Sequence, residues 1–218
     1  MPKQFELLIF DWDGTLMDSA AAISKSMQAA CADLNLPVPP DETARFVIGL
    51  GMNDAMKHIL PGLPASYYPQ FLERYRHHFW RADADTTLFK GVMDSLCELR
   101  AAGFLLAVAT GKSRRGLDRA LEATGLRQYF HATRCADEGF SKPHPGMLHR
   151  LLEETNVEVE QALMIGDTTH DMEMARAAGM ARLAAAYGAH PRASLIACEP
   201  VACVDAFAGL HQWLRQNA

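Results

Sequence analysis

Leu7-Leu8-Ile9-Phe10-Asp11-Trp12-Asp13-Gly14-Thr15-Leu16 begins as an unbroken apolar run and ends in two carboxylates one residue apart, followed by glycine. The run has the length and composition of a strand buried on both faces. Alternate side chains of an extended chain share a face, so Asp11 and Asp13 can point into one site. Gly14 lets the backbone turn tightly, or approach a ligand closely, just past the pair. Two negative charges beside a buried strand repel each other and lose hydration, which demands a cation or a raised pKa. The stretch is read as holding a divalent metal and a nucleophile.

Downstream, Phe104-Leu105-Leu106-Ala107-Val108-Ala109 is a second buried strand, ending in Thr110-Gly111-Lys112. Ala162-Leu163-Met164-Ile165 is another, ending in Gly166-Asp167. A weak strand falls near Ala132-Thr133-Arg134, and short later ones at Leu183 to Ala186 and Val201 to Val204. Helices are read between them, from Gly91 to Ala102, Arg114 to Thr124 with Gly125 as stop, Pro145 to Glu154, Asp171 to Ala178 and Phe207 to Gln216. Strands alternating with helices predict a parallel sheet covered on both faces. Ligands of such sheets bind outside the carboxyl ends of the strands, where Asp11, Thr110 and Asp167 sit and Lys142 can join them.

Between the first strand and this alternation, residues 19–85 carry no convincing strand. Ala22, Ile23, Ser26, Met27, Ala30 and Leu34 predict an amphipathic helix that the prolines 37, 39 and 40 end. Asp41 is placed to cap a second helix running toward Ile48, and Gly49-Leu50-Gly51 breaks the chain before a third. Tyr68, Phe71, Leu72, Tyr75 and Phe79 form an aromatic stripe. With Arg74, Arg76, His77, His78 and Arg81 it could be a nucleic-acid surface, but packing inside a helical bundle is the preferred reading. The organisation expected is a Rossmann-like, doubly wound α/β core of residues 1–18 and 86–218, with an all-helical cap domain of 19–85 inserted after the first strand.

A chain of 218 residues buries roughly 70% of its unfolded surface, enough for a core without staples. The formal net charge of −5 is mild and spread, which argues against general nucleic-acid binding. Met1-Pro2-Lys3-Gln4-Phe5-Glu6 has no charged-then-apolar signal pattern, and no apolar run approaches the ~20 residues of a membrane span. Five cysteines without a CxxC pair read as free thiols in a reducing compartment, so a cytoplasmic protein is the default.

Taken together, Asp11-Trp12-Asp13-Gly14-Thr15, Thr110-Gly111, Ser141-Lys142-Pro143 and Gly166-Asp167-Thr168-Thr169-His170-Asp171 resemble, in order and spacing, the four motifs of the haloacid dehalogenase superfamily. The resemblance covers nearly the whole chain, including the helical cap. Asp18-Ser19 and Gly49-Leu50-Gly51 are similar to the phosphoglycolate phosphatase branch. Lys90 stands where relatives commonly carry proline, a departure that concerns a hinge turn and not the chemistry.

The resemblance implies a phosphatase that forms an aspartyl-phosphate on Asp11. It implies Mg2+ held by Asp11, the Asp13 backbone carbonyl and Asp167, with Asp171 orienting metal waters or Lys142. Asp13 is then the proton donor and later the base, and its presence favours phosphoryl chemistry over dehalogenation. Lys142 neutralises the transferring phosphoryl group, and Thr110 with the Gly111 backbone binds its oxygens. Trp12 points away from the site as a packing residue, whereas His144 and His170 either line the cleft or lie on exposed loops.

The implied substrate is a small phosphorylated metabolite, phosphoglycolate being the nearest, with sugar phosphates and nucleotides as competitors; no nucleic-acid or membrane partner is expected, and the protein is expected to be a monomer or homodimer. A phosphomutase of the β-phosphoglucomutase type is the alternative within enzymes. A non-catalytic phosphate-binding or interaction module on the same fold is the alternative outside them.

Overall fold

The first strand, β1 (Leu7–Phe10), has no exposed residue. In the computed structural model, which describes residues 4–82 and 86–218, it lies between two parallel neighbours. These are β2 (Leu105–Thr110) and β4 (Ala162–Gly166), and the sheet continues through β3 (Ala132–Cys135), β5 (Ala181–Ala185) and β6 (Ala202–Val204). The order is β3-β2-β1-β4-β5-β6, parallel throughout, so the order reverses direction beside β1. A parallel doubly wound sheet presents its ligand crevice at that reversal.

Strand alternation divides the core. Leu8 and Phe10 face a cluster with Val92, Leu96, Leu117 and Leu210, from α5 (Val92–Ala101), α6 (Arg114–Thr124) and α10 (Phe207–Asn217). Leu7 and Ile9 face Met147, Leu148, Leu151 and Met174, from α7 (Gly146–Thr155) and α8 (Thr169–Ala177). Each such side chain contributes roughly 1.5–3 kcal/mol on burial. Trp12 joins the first cluster, fully buried and edge-on to Phe130, as its packing role required.

Between β1 and α5 run α1 (Ala20–Asp33), α2 (Asp41–Phe46), α3 (Met52–Ile59) and α4 (Tyr68–Ala82). Ile23, Met27, Ala30, Met56 and Phe71 give them a separate apolar cluster. The chain leaves and re-enters the core side by side: Asp18 N donates to Thr87 O, and Phe89 N to Leu16 O. The expected boundary at 85/86 adjoins residues 83–85, which lie outside the described residues, as do residues 1–3 of the N-terminal reading.

Several local expectations change. Pro40, not Asp41, is the N-cap of α2; Asp41 accepts from Ser24 Oγ and pairs with Arg45 instead. α2 stops at Phe46, short of Ile48. The aromatic stripe on α4 divides: Phe71 is fully buried, while Leu72, Tyr75 and Phe79 face a chamber between α4 and the sheet. A short helix α9 (Arg192–Ile196) stands between the last two strands, where the sequence carried no assignment. The five cysteines are free, and among the described residues no helix is long and apolar enough to cross a membrane.

Candidate active site

Parallel register brings the motifs together. Phe10 is level with Val108 on β2 and Ile165 on β4, so the residues just beyond them emerge at one edge. Asp11 N still donates to Ile165 O at 2.8 Å, which extends the ladder by one residue and fixes where Asp11 leaves the sheet. Beyond it the chain folds back, with Leu16 N and Met17 N both donating to Trp12 O. Gly14 takes a φ of +82° in this turn, and a Cβ there would stand 2.1 Å from Asp167 Oδ2. Only glycine lets the turn lie against that carboxylate.

Asp11, Asp167 and Asp171 offer carboxylate oxygens within 4.8 Å of one another, and all three are buried. Lys142, equally buried, places Nζ 2.7 Å from Asp11 Oδ1 and 2.6 Å from Asp171 Oδ1. Among the described residues, no donor other than Lys142 reaches either Asp11 oxygen. Asp167 is oriented at both oxygens, Oδ1 accepting from Thr15 Oγ1 at 2.8 Å and Oδ2 from Ala189 N at 2.7 Å. Asp171 Oδ2 accepts from Thr168 Oγ1 and from Thr168 N, closing the capping box of α8. Asp171 is thus buried in the first turn of α8, with Thr168 as the N-cap.

Burial raises Asp11 to about 7; Lys142 opposes this, and Asp171 and Asp13 add to it. Burial likewise raises Asp167 well above the carboxylate range, reinforced by Asp11 and Asp171. For Lys142 burial disfavours the charge, but Asp11 and Asp171 outweigh it and hold the ammonium above its ordinary pKa. The three acids thus exceed what one lysine compensates. Orphaned, clustered carboxylate oxygens of this kind suit a hard divalent cation.

Asp13 lies in the same chamber as Asp11, and its Oδ1 accepts from Ser19 Oγ at 2.6 Å and meets Lys112 Nζ at 2.9 Å. The clustered carboxylates of Asp11, Asp167 and Asp171, when ionised, exceed the single charge of Lys142 by two, which one divalent cation balances. Thr110 and Gly111 line the chamber, and Thr110 Oγ1 accepts from Lys112 N. A Cβ on Gly111 would stand 2.4 Å from Gly49 O, so the Gly49-Leu50-Gly51 loop rests on the end of β2.

The two histidines singled out in sequence part company, one on an exposed loop and one buried. His144 is exposed and stacks on Phe140. His170 is buried and donates Nε2–H to Phe46 O at 2.7 Å. His190 joins it: Nδ1 accepts from Thr169 N, which leaves Nε2–H to donate to the same carbonyl at 3.0 Å. Burial lowers both imidazoles, keeping them neutral in these roles.

Thr15, Ser19, Lys112, Gly188-Ala189 and His190 thus support the site without having been picked out by function in the sequence. Ser19 and Lys112 stood beside quoted motifs, and Thr15 within one. Nothing marked the loop at 188–190. A Cβ on Gly188 would lie 2.2 Å from Asp167 Oδ2, so that loop seats directly on the carboxylate.

Comparison with known proteins follows the same outline. Residues 8–185 match a family model described as haloacid dehalogenase-like hydrolase. The chain is 36% identical over 207 residues to the probable phosphatase IndB of Dickeya dadantii strain 3937, covering 92% of this chain and 90% of that one. It is 30% identical over 220 residues to the phosphoglycolate phosphatase of Haemophilus influenzae strain 86-028NP, covering 96% and 98%. A crystal structure described as a predicted phosphoglycolate phosphatase from Haemophilus somnus 129pt superposes with a TM-score of 0.82 at 26% identity, covering 97% and 99%.

Proposed function

Because the chain belongs to the haloacid dehalogenase-like hydrolase family, we propose that it is a magnesium-dependent phosphatase that hydrolyses a phosphomonoester metabolite through a phosphorylated Asp11. The observation that carries this reading is Asp11 itself, a buried carboxylate that no described donor but Lys142 reaches, set beside two further acids at the open end of a parallel sheet. The phosphatases among its relatives support the reaction class.

Asp11, Asp167 and the Asp13 carbonyl would hold the metal, with Asp171 behind them. Magnesium bound there supplies positive charge to the phosphoryl oxygens. Asp11 attacks phosphorus and the ester bond to the alcohol breaks, giving an acyl phosphate. Asp13 gives the departing oxygen its proton, then takes one from the water that attacks the acyl phosphate, releasing inorganic phosphate and free Asp11. Ser19 and Lys112 keep the Asp13 carboxyl turned into the chamber. Lys142 offsets the charge on Asp11 and the phosphoryl group, while Thr110 and the Gly111 backbone bind phosphoryl oxygens.

Residues 19–85 act as a cap domain on a core of 1–18 and 86–218, closing over the ester and excluding water. Residues 16–18 and 87–89, paired across the two crossings, form its hinge.

The test is phosphate release from p-nitrophenyl phosphate with magnesium chloride or with EDTA. Magnesium-dependent turnover that Asp11→Asn abolishes is expected; turnover indifferent to either change contradicts the reading.

A further inference from the structure

The helical cap meets the core on two sides of the chamber. Near α6, rings of α4 lie over the long side chains of Lys112, Arg115 and Arg119. On the other side the contacts are backbone and buried groups set beside residues of the site. Gly49 rests on Gly111, next to Thr110, and Ser141, next to Lys142, donates to Asp54. The densest of these contacts is built on Phe46.

Phe46 ends α2, and the last carbonyls of a helix find no N–H within it. Two imidazoles serve this one oxygen, His170 Nε2–H at 2.7 Å and His190 Nε2–H at 3.0 Å. The Phe46 ring lies flat on His190, centres 5.3 Å apart and planes 11° from parallel. It stands edge-on to His170 at 5.1 Å. Both histidines are buried in the core, and the residue they grip belongs to the cap.

Each histidine is also tied to a carboxylate of the site. His170 precedes Asp171 in the first turn of α8. His190 N donates to Asp167 O at 3.3 Å, and its neighbour Ala189 N donates to Asp167 Oδ2 at 2.7 Å. The same segment begins at Tyr187, whose hydroxyl donates to Thr15 O at 3.0 Å, while Thr15 Oγ1 donates to Asp167 Oδ1. One Asp167 oxygen is thus connected to the cap through Ala189, His190 and Phe46. The other is connected to the turn after β1 through Thr15 and Tyr187.

Opening the cap gives up both bonds to Phe46 O and releases residues 187–190 on that side. A cation that fixes Asp167 and Asp171 orders the same segment. Ordering a shared element once favours both events, and by linkage the effect is mutual.

We propose that His170 and His190 are positioning residues that latch the end of α2 to the elements carrying Asp171 and Asp167, so that magnesium binding and cap closure strengthen each other. This rests on the metal assignment in the phosphatase reading above and adds a coupling between that site and the cap.

The experiment measures magnesium affinity by calorimetry, and amide hydrogen exchange of residues 41–51 with and without magnesium chloride. The native chain is compared with Phe46→Ala, His170→Leu and His170→Gln. Phe46 is 39% exposed and lies on the cap, so its variant is expected to fold with the carboxylates in place. In the native chain magnesium should slow exchange of these amides. Phe46→Ala and His170→Leu should weaken magnesium binding by roughly three- to tenfold, the worth of one ring contact or hydrogen bond, and should reduce the protection by a similar factor. His170→Gln, whose amide can donate as Nε2–H does, should recover most of both. Cap amides indifferent to magnesium in the native chain, or an affinity that Phe46→Ala leaves unchanged, overturns the latch, while magnesium-dependent turnover of p-nitrophenyl phosphate keeps the phosphatase reading standing. A native chain that binds no magnesium overturns both.

Discussion

Lys142 and Asp171 meet at 2.6 Å with neither side chain exposed, and the same ammonium reaches Asp11 at 2.7 Å. A buried cation that serves two carboxylates does more than pair with one. It sets their separation and offsets the repulsion between them. Lys142→Met removes the charge and keeps much of the volume, leaving uncompensated acids in the interior. Breaking a buried pair in this way costs roughly 3–5 kcal/mol. Urea unfolding of the variant in EDTA should show a loss of that order, and phosphate release should fall at least a hundredfold. Unchanged stability would mean that the acids are neutralised by other means.

The loop at 188–190 makes a second prediction. Gly188→Ala would drive a methyl group to 2.2 Å from Asp167 Oδ2, where Ala189 N also donates. Asp167 must then shift. Magnesium affinity measured by calorimetry is expected to fall by about 10–100-fold, as for loss of a group that orients a metal ligand. An unaltered affinity would remove Asp167 from the ligand set.

Ser19 donates to Asp13 at 2.6 Å, and this contact orients the group assigned to protonate the leaving alcohol. In Ser19→Ala, kcat for an alkyl phosphate should fall by about tenfold or more, whereas p-nitrophenyl phosphate, whose leaving group needs little protonation, should fall less. An equal loss on both esters would assign Ser19 a structural role at the hinge only.

Metal-free stability should depend on pH through Asp11. Its pKa rises from 3.8 to about 7 on folding, so between those values the folded chain keeps a proton that the unfolded chain releases. Stability from this group is full at low pH and falls as pH rises toward 7. Asp167 shifts in the same direction. In EDTA, the urea midpoint should decline from pH 5 to pH 8, by an amount equivalent to a few kcal/mol on the order-of-magnitude scale of such linkage. Magnesium chloride should raise the midpoint more at pH 8, where the ligands are ionised. A midpoint that rises with pH in EDTA would contradict the raised carboxylate.

Where a physical pattern repeats along the chain, the fold was legible before any coordinate. The apolar run at residues 7–10 sits on the central strand, and the glycine at 125 ends its helix with a φ of +68°. Asp11, Asp13 and Asp167 converge because parallel register carries strand ends to one edge, and Lys142 and Asp171 reach them from the connection before α7 and the first turn of α8. What stayed hidden was set by tertiary contact. Ala189 approaches Asp167 across a loop without periodicity, and α9 is a helix of five residues, too short to show a repeat. Lys112 was quoted only as the end of a strand, and its reach to Asp13 depends on the turn after β2. The α4 stripe read correctly as helical, but periodicity cannot tell a packed face from one that borders a chamber.

The central claim is that Asp11 becomes phosphorylated. Rapid quenching of the enzyme with magnesium and a phosphomonoester, followed by peptide mass spectrometry, tests it most directly. A labile phosphoryl group on the peptide containing Asp11, absent in Asp11→Asn, is the expected result. Turnover accompanied by phosphate on another residue, or by none under conditions that trap acyl phosphates, would contradict it.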